Sequence, residues 1–123
     1  FKTDTLSSML LDFGGCRALL SLSTQAFPIQ RVDIVGTGGS ILVELPYNMY
    51  GDVPARIHIT TSIGPRTVTL GPAEQYRIMF EAFSRALREG TAVPTPPEDA
   101  VANMSVLDAL FRSERSGNWE TVS

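Results

Sequence analysis

Apolar residues recur with a helical period in the last third of the chain. Between Glu74 and Gly90 they follow the three- and four-residue spacing of an α-helix, which predicts an amphipathic helix that stops at Gly90. A similar series between Pro97 and Gly117 predicts a second helix. The apolar stripes consist of Tyr76, Met79, Phe80, Phe83, Ala86 and Leu87 in the first helix and Val101, Met104, Leu107, Leu110 and Phe111 in the second.

A proline-rich segment opens the second helix. Thr95 precedes Pro96 and Pro97, and Glu98 follows them, which is the arrangement of a capping box with proline at the first helical position. We therefore expect the Thr95 side chain to accept a hydrogen bond from an N–H of the first turn. The adjacent carboxylates Glu98 and Asp99 are interpreted as first-turn residues, because the helix dipole favours negative charge there.

The chain up to Leu70 carries the signals of strands instead. Segments rich in β-branched or apolar residues alternate with Gly or Pro, as at Gly14-Gly15 and Gly64-Pro65. Such short gaps join antiparallel neighbours, because a parallel crossover needs about a dozen residues. The predicted strands are 5–13, 17–25, 30–35, 40–45, 55–63 and 66–70. The sequence thus predicts an α+β fold, a mainly antiparallel open sheet of about six strands with two C-terminal helices packed on one face.

The alternation along single strands is mixed. In segment 40–45, Ile41 and Val43 share one face while Leu42 and Glu44 share the other. A sheet that is exposed on one side alternates cleanly, so apolar residues on both faces predict that both are at least partly covered. The two helices cover only one face. We therefore expect a partner or another domain on the second face.

Length and charge narrow the class of protein. A chain of 123 residues is one domain in length. Hydrophobic residues make up 43% of it and charged residues 19%, which is typical of a globular protein. The net charge of -3 argues against binding a phosphate backbone. No apolar run approaches the roughly 20 residues of a membrane helix. A single cysteine, Cys16, excludes an intrachain disulfide and is typical of a reducing compartment, so we expect a cytoplasmic protein.

The order of short phrases from Glu74 to Trp119 resembles the C-terminal end of the Gfo/Idh/MocA oxidoreductases. The phrases are YxxMFxAFxxALxEG, a PxPPEDAxxNM turn and VLDALFxSxxSGxW. That family comprises two-domain dehydrogenases that act on sugars and related polyols, and this end belongs to their second domain. The resemblance implies that residues 1–123 form a single C-terminal domain. Its sheet would line one wall of the substrate cleft and form a homodimer through the open face.

The resemblance also implies a parent enzyme that transfers hydride between NAD or NADP and a sugar or polyol carbon. An N-terminal Rossmann domain would bind the nucleotide. The GxGxxG unit, the E-K-P type segment with the catalytic lysine and the D-x-x-x-H histidine motif do not occur in this sequence. We therefore expect no catalytic, cofactor-binding or metal-binding residue in the chain, which would be inactive alone. The alternative is a free-standing α+β binding or oligomerisation module with no catalytic role.

The glycine-rich stretch 36–39 (GTGG) is interpreted as a hairpin turn. A dinucleotide fingerprint needs a third glycine and a strand that leads into a helix. Here Ile41 stands at the third glycine position and a strand follows. A GTxGS turn between two strands is frequent in the second domain of the resembled family and matches residues 36–40.

His58 and a two-tyrosine loop are the residues with candidate chemistry. His58, the only histidine, shares a strand face with Arg56 and Thr60. It suits a proton donor or a sugar-hydroxyl ligand, or else a solvated or interface residue. No carboxylate stands two positions away to orient it, and it does not match the family's histidine motif. Tyr47 and Tyr50, in the loop PYNMYGD, suit a carbohydrate or partner contact, or else simple packing of the loop.

Overall fold

A computed structural model of the protein describes residues 3–123, so the first two residues of the predicted domain lie outside the described range. Six strands and two helices follow one another, and every strand pair is antiparallel. The predicted α+β class is confirmed. The elements are β1 (Leu6–Asp12), β2 (Arg17–Ser23), β3 (Val32–Gly36), β4 (Gly39–Val43), β5 (Ala55–Thr61), β6 (Gly64–Leu70), α1 (Gln75–Glu89) and α2 (Pro97–Ser116).

The strands form two sheets, where the sequence predicted one. β1 pairs with β2, and β3, β4, β5 and β6 form a four-stranded sheet in that order. The connections explain the difference. Two-residue turns close β3–β4 and β5–β6, whereas an eight-residue segment that contains Pro28 separates β2 from β3. Proline donates no ladder hydrogen bond, and no tight turn sets a register between these two strands.

The chain divides into two compact units. Unit 1 combines the chain up to Phe27 with Thr95–Ser123, and it contains β1, β2 and α2. Unit 2 is Pro28–Pro94, and it contains the four-stranded sheet and α1. The organisation of the whole chain as a single domain remains a prediction.

In unit 1, the β1–β2 hairpin and α2 line a common groove of about 790 Å³. Met9 and Leu10 of β1 line it together with Leu110 and Phe111 of α2. Trp119, beyond the end of the helix, is also part of this lining. The C-terminal half of the α2 stripe, Leu107, Leu110 and Phe111, therefore faces the hairpin, whereas Val101 and Met104 are exposed.

In unit 2, the apolar stripe of α1 is exposed. Ala86 is its only buried member, whereas Tyr76, Phe80 and Leu87 each keep more than half of their surface accessible. The expected packing of this stripe against the sheet is therefore not present within unit 2. Periodicity determines which side of a helix is apolar, but it does not determine which surface covers that side.

Both helices end at the predicted glycines. Gly90 and Gly117 adopt left-handed backbone angles, with φ of 63° and 68°. Their N–H groups donate to the carbonyl oxygens of Ala86 and Ser113. Glycine is favoured at these positions because it has no Cβ to clash in the left-handed conformation.

The start of α2 differs from the predicted capping box. Pro96 is the N-cap residue, Pro97 occupies the first helical position as predicted, and no side chain caps the helix. A capping side chain must belong to the N-cap residue, and Thr95 lies one position before it. The acidic residues Glu98 and Asp99 do lie in the first turn, in agreement with the prediction.

We therefore predict that Thr95→Ala changes the free energy of unfolding by no more than about 0.5 kcal/mol, the usual range of an uninvolved surface site. Asp99→Ala is the matched control, because loss of first-turn charge should cost roughly 0.3–1 kcal/mol. Urea denaturation followed by circular dichroism measures both variants. If Thr95→Ala lowers the free energy of unfolding by about 1 kcal/mol, the Thr95 side chain does cap α2 and this prediction is wrong.

Candidate functional site

The register of the four-stranded sheet separates an apolar face from a polar face. Directly opposite residues on neighbouring strands point to the same side of a sheet, so each row of pairs can be assigned to one face. The apolar face carries Val32, Ile34, Ile41, Val43, Ala55, Ile57, Ile59, Val68 and Leu70, with Thr61 and Arg66 as polar exceptions near the β5–β6 turn. The polar face carries Asp33, Arg56, His58, Thr60, Thr67 and Thr69, together with Val35 and Leu42.

Apolar residues are thus concentrated on one face of this sheet, and Val35 and Leu42 are the exceptions on the other. That a partner or another domain covers the second face remains a prediction. Leu42 pairs with Asp33 on one side and His58 on the other, so it is isolated among polar neighbours. Val43 pairs with Val32 and Ile57 and belongs to a continuous apolar surface. A strand considered alone shows only its own alternation, whereas the register decides what each residue adjoins.

His58 lies at the centre of a hydrogen-bonded group on the polar face. Its Nε2 is 2.7 Å from Oε1 of Glu44, and its Nδ1 is 3.1 Å from Oγ1 of Thr67. An ionised carboxylate only accepts hydrogen bonds, so Nε2 carries the proton. The second ring nitrogen, Nδ1, shares a hydrogen bond with the Thr67 hydroxyl, which is able to donate or accept. Both ring nitrogens are engaged, which holds the ring in one orientation.

Sequence reasoning missed Glu44 as the partner of His58. The backbone N–H of Glu44 donates to the carbonyl of Arg56, which continues the β4–β5 ladder and places the two side chains diagonally across the strands. The carboxylate that orients the ring thus comes from the neighbouring strand. If Leu42 is opposite His58, then Glu44, two residues further along the chain, is a diagonal neighbour of the histidine on the same face. Diagonal neighbours lie within reach of long side chains, so this register would have indicated Glu44 as the partner.

The polar face is accessible to ligands. The side chains of His58 and Glu44 are 35% and 40% exposed, and Arg56 reaches to 4.0 Å from the Glu44 carboxylate. At the edge strand, Arg31 binds Asp33 through two hydrogen bonds of 2.6 and 2.8 Å. The pair lowers the pKa of the Asp33 carboxyl through the side-chain hydrogen bond and the charge of Arg31. The face therefore offers donors and acceptors suited to hydroxyl-bearing ligands.

The two-tyrosine loop, which lies between β4 and β5, is fixed by one amide side chain. Gln30 accepts hydrogen bonds at Oε1 from the N–H groups of Tyr47 (3.1 Å) and Asn48 (3.0 Å). Its Nε2 donates to the Asn48 carbonyl at 3.0 Å. Tyr47 and Tyr50 are each 59% exposed, so loop packing does not account for their rings. The loop presents two aromatic side chains on an ordered backbone.

The stretch 36–39 forms the predicted hairpin turn. Gly36 ends β3, Gly39 begins β4, and the two residues pair across the turn. A dinucleotide pyrophosphate is bound where a glycine-rich loop opens a helix, and here the loop opens a strand. This stretch therefore does not fit the nicotinamide nucleotide that a dehydrogenase requires.

Residues 3–123 show neither a metal-binding cluster nor a membrane-spanning helix. No group of three or more His, Cys, Asp or Glu side chains in that range is arranged to hold a metal ion. In the same range, neither helix combines the length and the apolar character needed to cross a membrane. His58 is paired with one carboxylate and one hydroxyl, which makes the polar face a hydrogen-bonding surface.

The chain is similar to oxidoreductases over almost its full length. It is 39% identical over 128 residues to "Uncharacterized oxidoreductase ORF334" of Rhizobium meliloti, a match that covers 99% of the chain and 38% of that protein. It is 27% identical over 115 residues to "D-xylose 1-dehydrogenase (NADP(+)) 2" of Haloferax volcanii, which covers 93% of the chain and 35% of that protein.

The chain thus spans little more than a third of the length of these curated relatives. No protein-family model matches the sequence. No solved structure matches it either. The similarity is therefore that of the chain to one part of an oxidoreductase, which agrees with the predicted class of parent protein.

Proposed function

We propose that the chain is the C-terminal substrate-cleft and dimerisation domain of an NAD(P)-dependent oxidoreductase of the Gfo/Idh/MocA family. The parent would transfer hydride between the nicotinamide and a carbon of a sugar or polyol. The observation that carries the proposal is the match of almost the whole chain to about a third of two oxidoreductases. A part of that size corresponds to one domain of a two-domain enzyme.

The name of the second relative supports the substrate and cofactor class. That protein is called a D-xylose dehydrogenase that uses NADP+. The sequence phrases between Glu74 and Trp119 independently resemble a family of sugar and polyol dehydrogenases. The two arguments point to the same chemistry, because an aldose such as xylose belongs to the substrates of that family.

The polar face of the four-stranded sheet is the proposed wall of the substrate cleft. Sugar hydroxyls need both donors and acceptors, and this face supplies a carboxylate, a guanidinium and a hydroxyl in Glu44, Arg56 and Thr67. His58 would orient a substrate hydroxyl rather than replace the family's catalytic histidine, whose motif is missing here. The same open face would carry the homodimer contact.

The proposal predicts that the full-length parent binds NADP+ or NAD+ and that the 123-residue chain alone binds neither. The reason is that stretch 36–39 forms a hairpin turn, while the pyrophosphate site would lie in the N-terminal domain. Isothermal titration calorimetry on both proteins measures the difference. Competition by ADP-ribose is the control for specific binding.

Two results would count against the proposal. Saturable binding of either nucleotide by the isolated chain, displaced by ADP-ribose, would place the cofactor site within these residues. A full-length parent that binds no nucleotide would favour the free-standing binding module instead. The chain's own folding is checked by circular dichroism, so that an unfolded sample is not mistaken for a lack of affinity.

A further inference from the structure

We propose that Tyr47 and Tyr50 form a stacking platform for the ring of a neutral sugar, held in place by Gln30. This inference rests on the proposed function for the sugar class and assigns the binding contact to specific residues. Tyrosine suits the task because the C–H bonds on one side of a sugar ring meet the electron-rich aromatic face, while the phenol hydroxyl bonds to a sugar hydroxyl.

Hydrogen bonds hold the backbone of the two-tyrosine loop in place. The Gln30 side chain makes three hydrogen bonds to the backbone of Tyr47 and Asn48, at 3.0 to 3.1 Å. The Val53 N–H donates to the Tyr50 carbonyl at 3.3 Å and closes the following turn. Side chains on an ordered loop lose less conformational entropy on binding. The loop is thus arranged in advance of its ligand.

Both tyrosine rings of the loop are open to solvent. Tyr47 and Tyr50 are each 59% exposed, whereas Met49 between them is half-buried. Here the methionine is the more enclosed side chain and the two aromatic rings face solvent, which is the orientation required for ligand contact.

Charge at the loop indicates a neutral ligand. Segment 45–54 contains Asp52 and no basic residue. The Glu74 carboxylate lies directly against Gly51, which adds a second negative charge beside the loop. Arg31, next to Gln30 in sequence, already binds Asp33 through both oxygens. Carboxylates accept bonds from sugar hydroxyls but repel phosphate, so the platform should select unphosphorylated sugars.

Saturation-transfer NMR on the 123-residue chain tests the platform, with D-xylose and D-glucose as ligands and glucose 6-phosphate as the charged comparison. We expect Tyr47→Ala and Tyr50→Ala each to weaken binding roughly five- to tenfold. Tyr47→Phe should retain most of the affinity because it keeps the ring. Gln30→Ala should weaken binding as well, since it frees the loop.

Tyr76→Ala is the matched control, because Tyr76 lies on α1 and is 62% exposed, close to the exposure of the loop tyrosines. It should leave binding unchanged. Circular dichroism confirms that each variant is folded. The inference is overturned if folded wild-type chain binds neither sugar, if Tyr76→Ala weakens binding as much as the loop variants do, or if glucose 6-phosphate binds more tightly.

The platform and the proposed function fail in different ways. A full-length parent that oxidises sugars with a KM unaffected by Tyr47→Ala and Tyr50→Ala overturns the platform and leaves the oxidoreductase proposal standing. The opposite result is also possible: the 123-residue chain binds neutral sugars through these tyrosines, but the full-length parent has no nucleotide-dependent activity. That result overturns the oxidoreductase proposal and leaves the platform standing.

Discussion

Gly39→Ala should destabilise the chain by about 2–4 kcal/mol, the range expected when backbone strain and a steric clash combine. Gly39 has a φ of +148°, a conformation that residues with side chains rarely adopt. A Cβ at this position would also collide with the carbonyl oxygen of Thr60 on the neighbouring strand. The clash is with backbone, so relief requires movement of β5 itself. Urea denaturation followed by circular dichroism measures the loss.

Gly38→Ala provides the matched control one residue away. An added Cβ at Gly38 meets no atom within 4 Å, and its φ lies outside the left-handed range. This variant should stay within about 0.5 kcal/mol of the wild type, as surface changes usually do. Equal losses for the two alanine variants would show that the β3–β4 turn does not hold Gly39 against Thr60.

Val43→Lys and Leu42→Lys should have opposite consequences although the residues are adjacent. Val43 lies on the apolar face between Val32 and Ile57, so an unpaired charge there should cost about 1–3 kcal/mol of folding free energy. Leu42 lies on the polar face between Asp33 and His58, where a lysine side chain has polar neighbours and access to solvent. We expect Leu42→Lys to remain folded and to reduce self-association through the open face.

Circular dichroism and light scattering on both lysine variants separate stability from assembly. Equal unfolding of both would contradict the assignment of the two faces. A wild-type chain that stays monomeric at high concentration would remove homodimerisation from the proposed function. It would not affect the predicted difference in stability, because that difference depends only on the faces of one sheet.

Features set by local sequence could be predicted. Gly90 and Gly117 end the helices because the left-handed position after a helix favours glycine. The turn at 36–39 is also local, because a short glycine-rich gap between two strands allows little besides a hairpin. The strand count and the α+β class follow from such signals. The capping box was misplaced by one residue because Pro96 and Pro97 both suit the start of a helix.

Features set by contacts between distant residues could not be predicted from single strands. The separation into two sheets depends on the absence of a pairing between β2 and β3, and the long segment with Pro28 between them permits this separation but does not require it. The bond between Glu44 and His58 depends on the β4–β5 register, and the Gln30 contacts join residues far apart in the chain. The sequence indicates His58 and the two tyrosines as candidates, but their hydrogen-bond partners come from residues distant in the chain.

The central claim is that this chain is part of an NAD(P)-dependent oxidoreductase that acts on a sugar or polyol. The most direct test is an assay of nicotinamide reduction by the full-length parent, mixed with NADP+ or NAD+ and a series of aldoses that includes D-xylose. We predict sugar-dependent formation of the reduced nucleotide by the parent and none by the isolated chain. A folded full-length parent that reduces neither nucleotide with any sugar or polyol would contradict the claim.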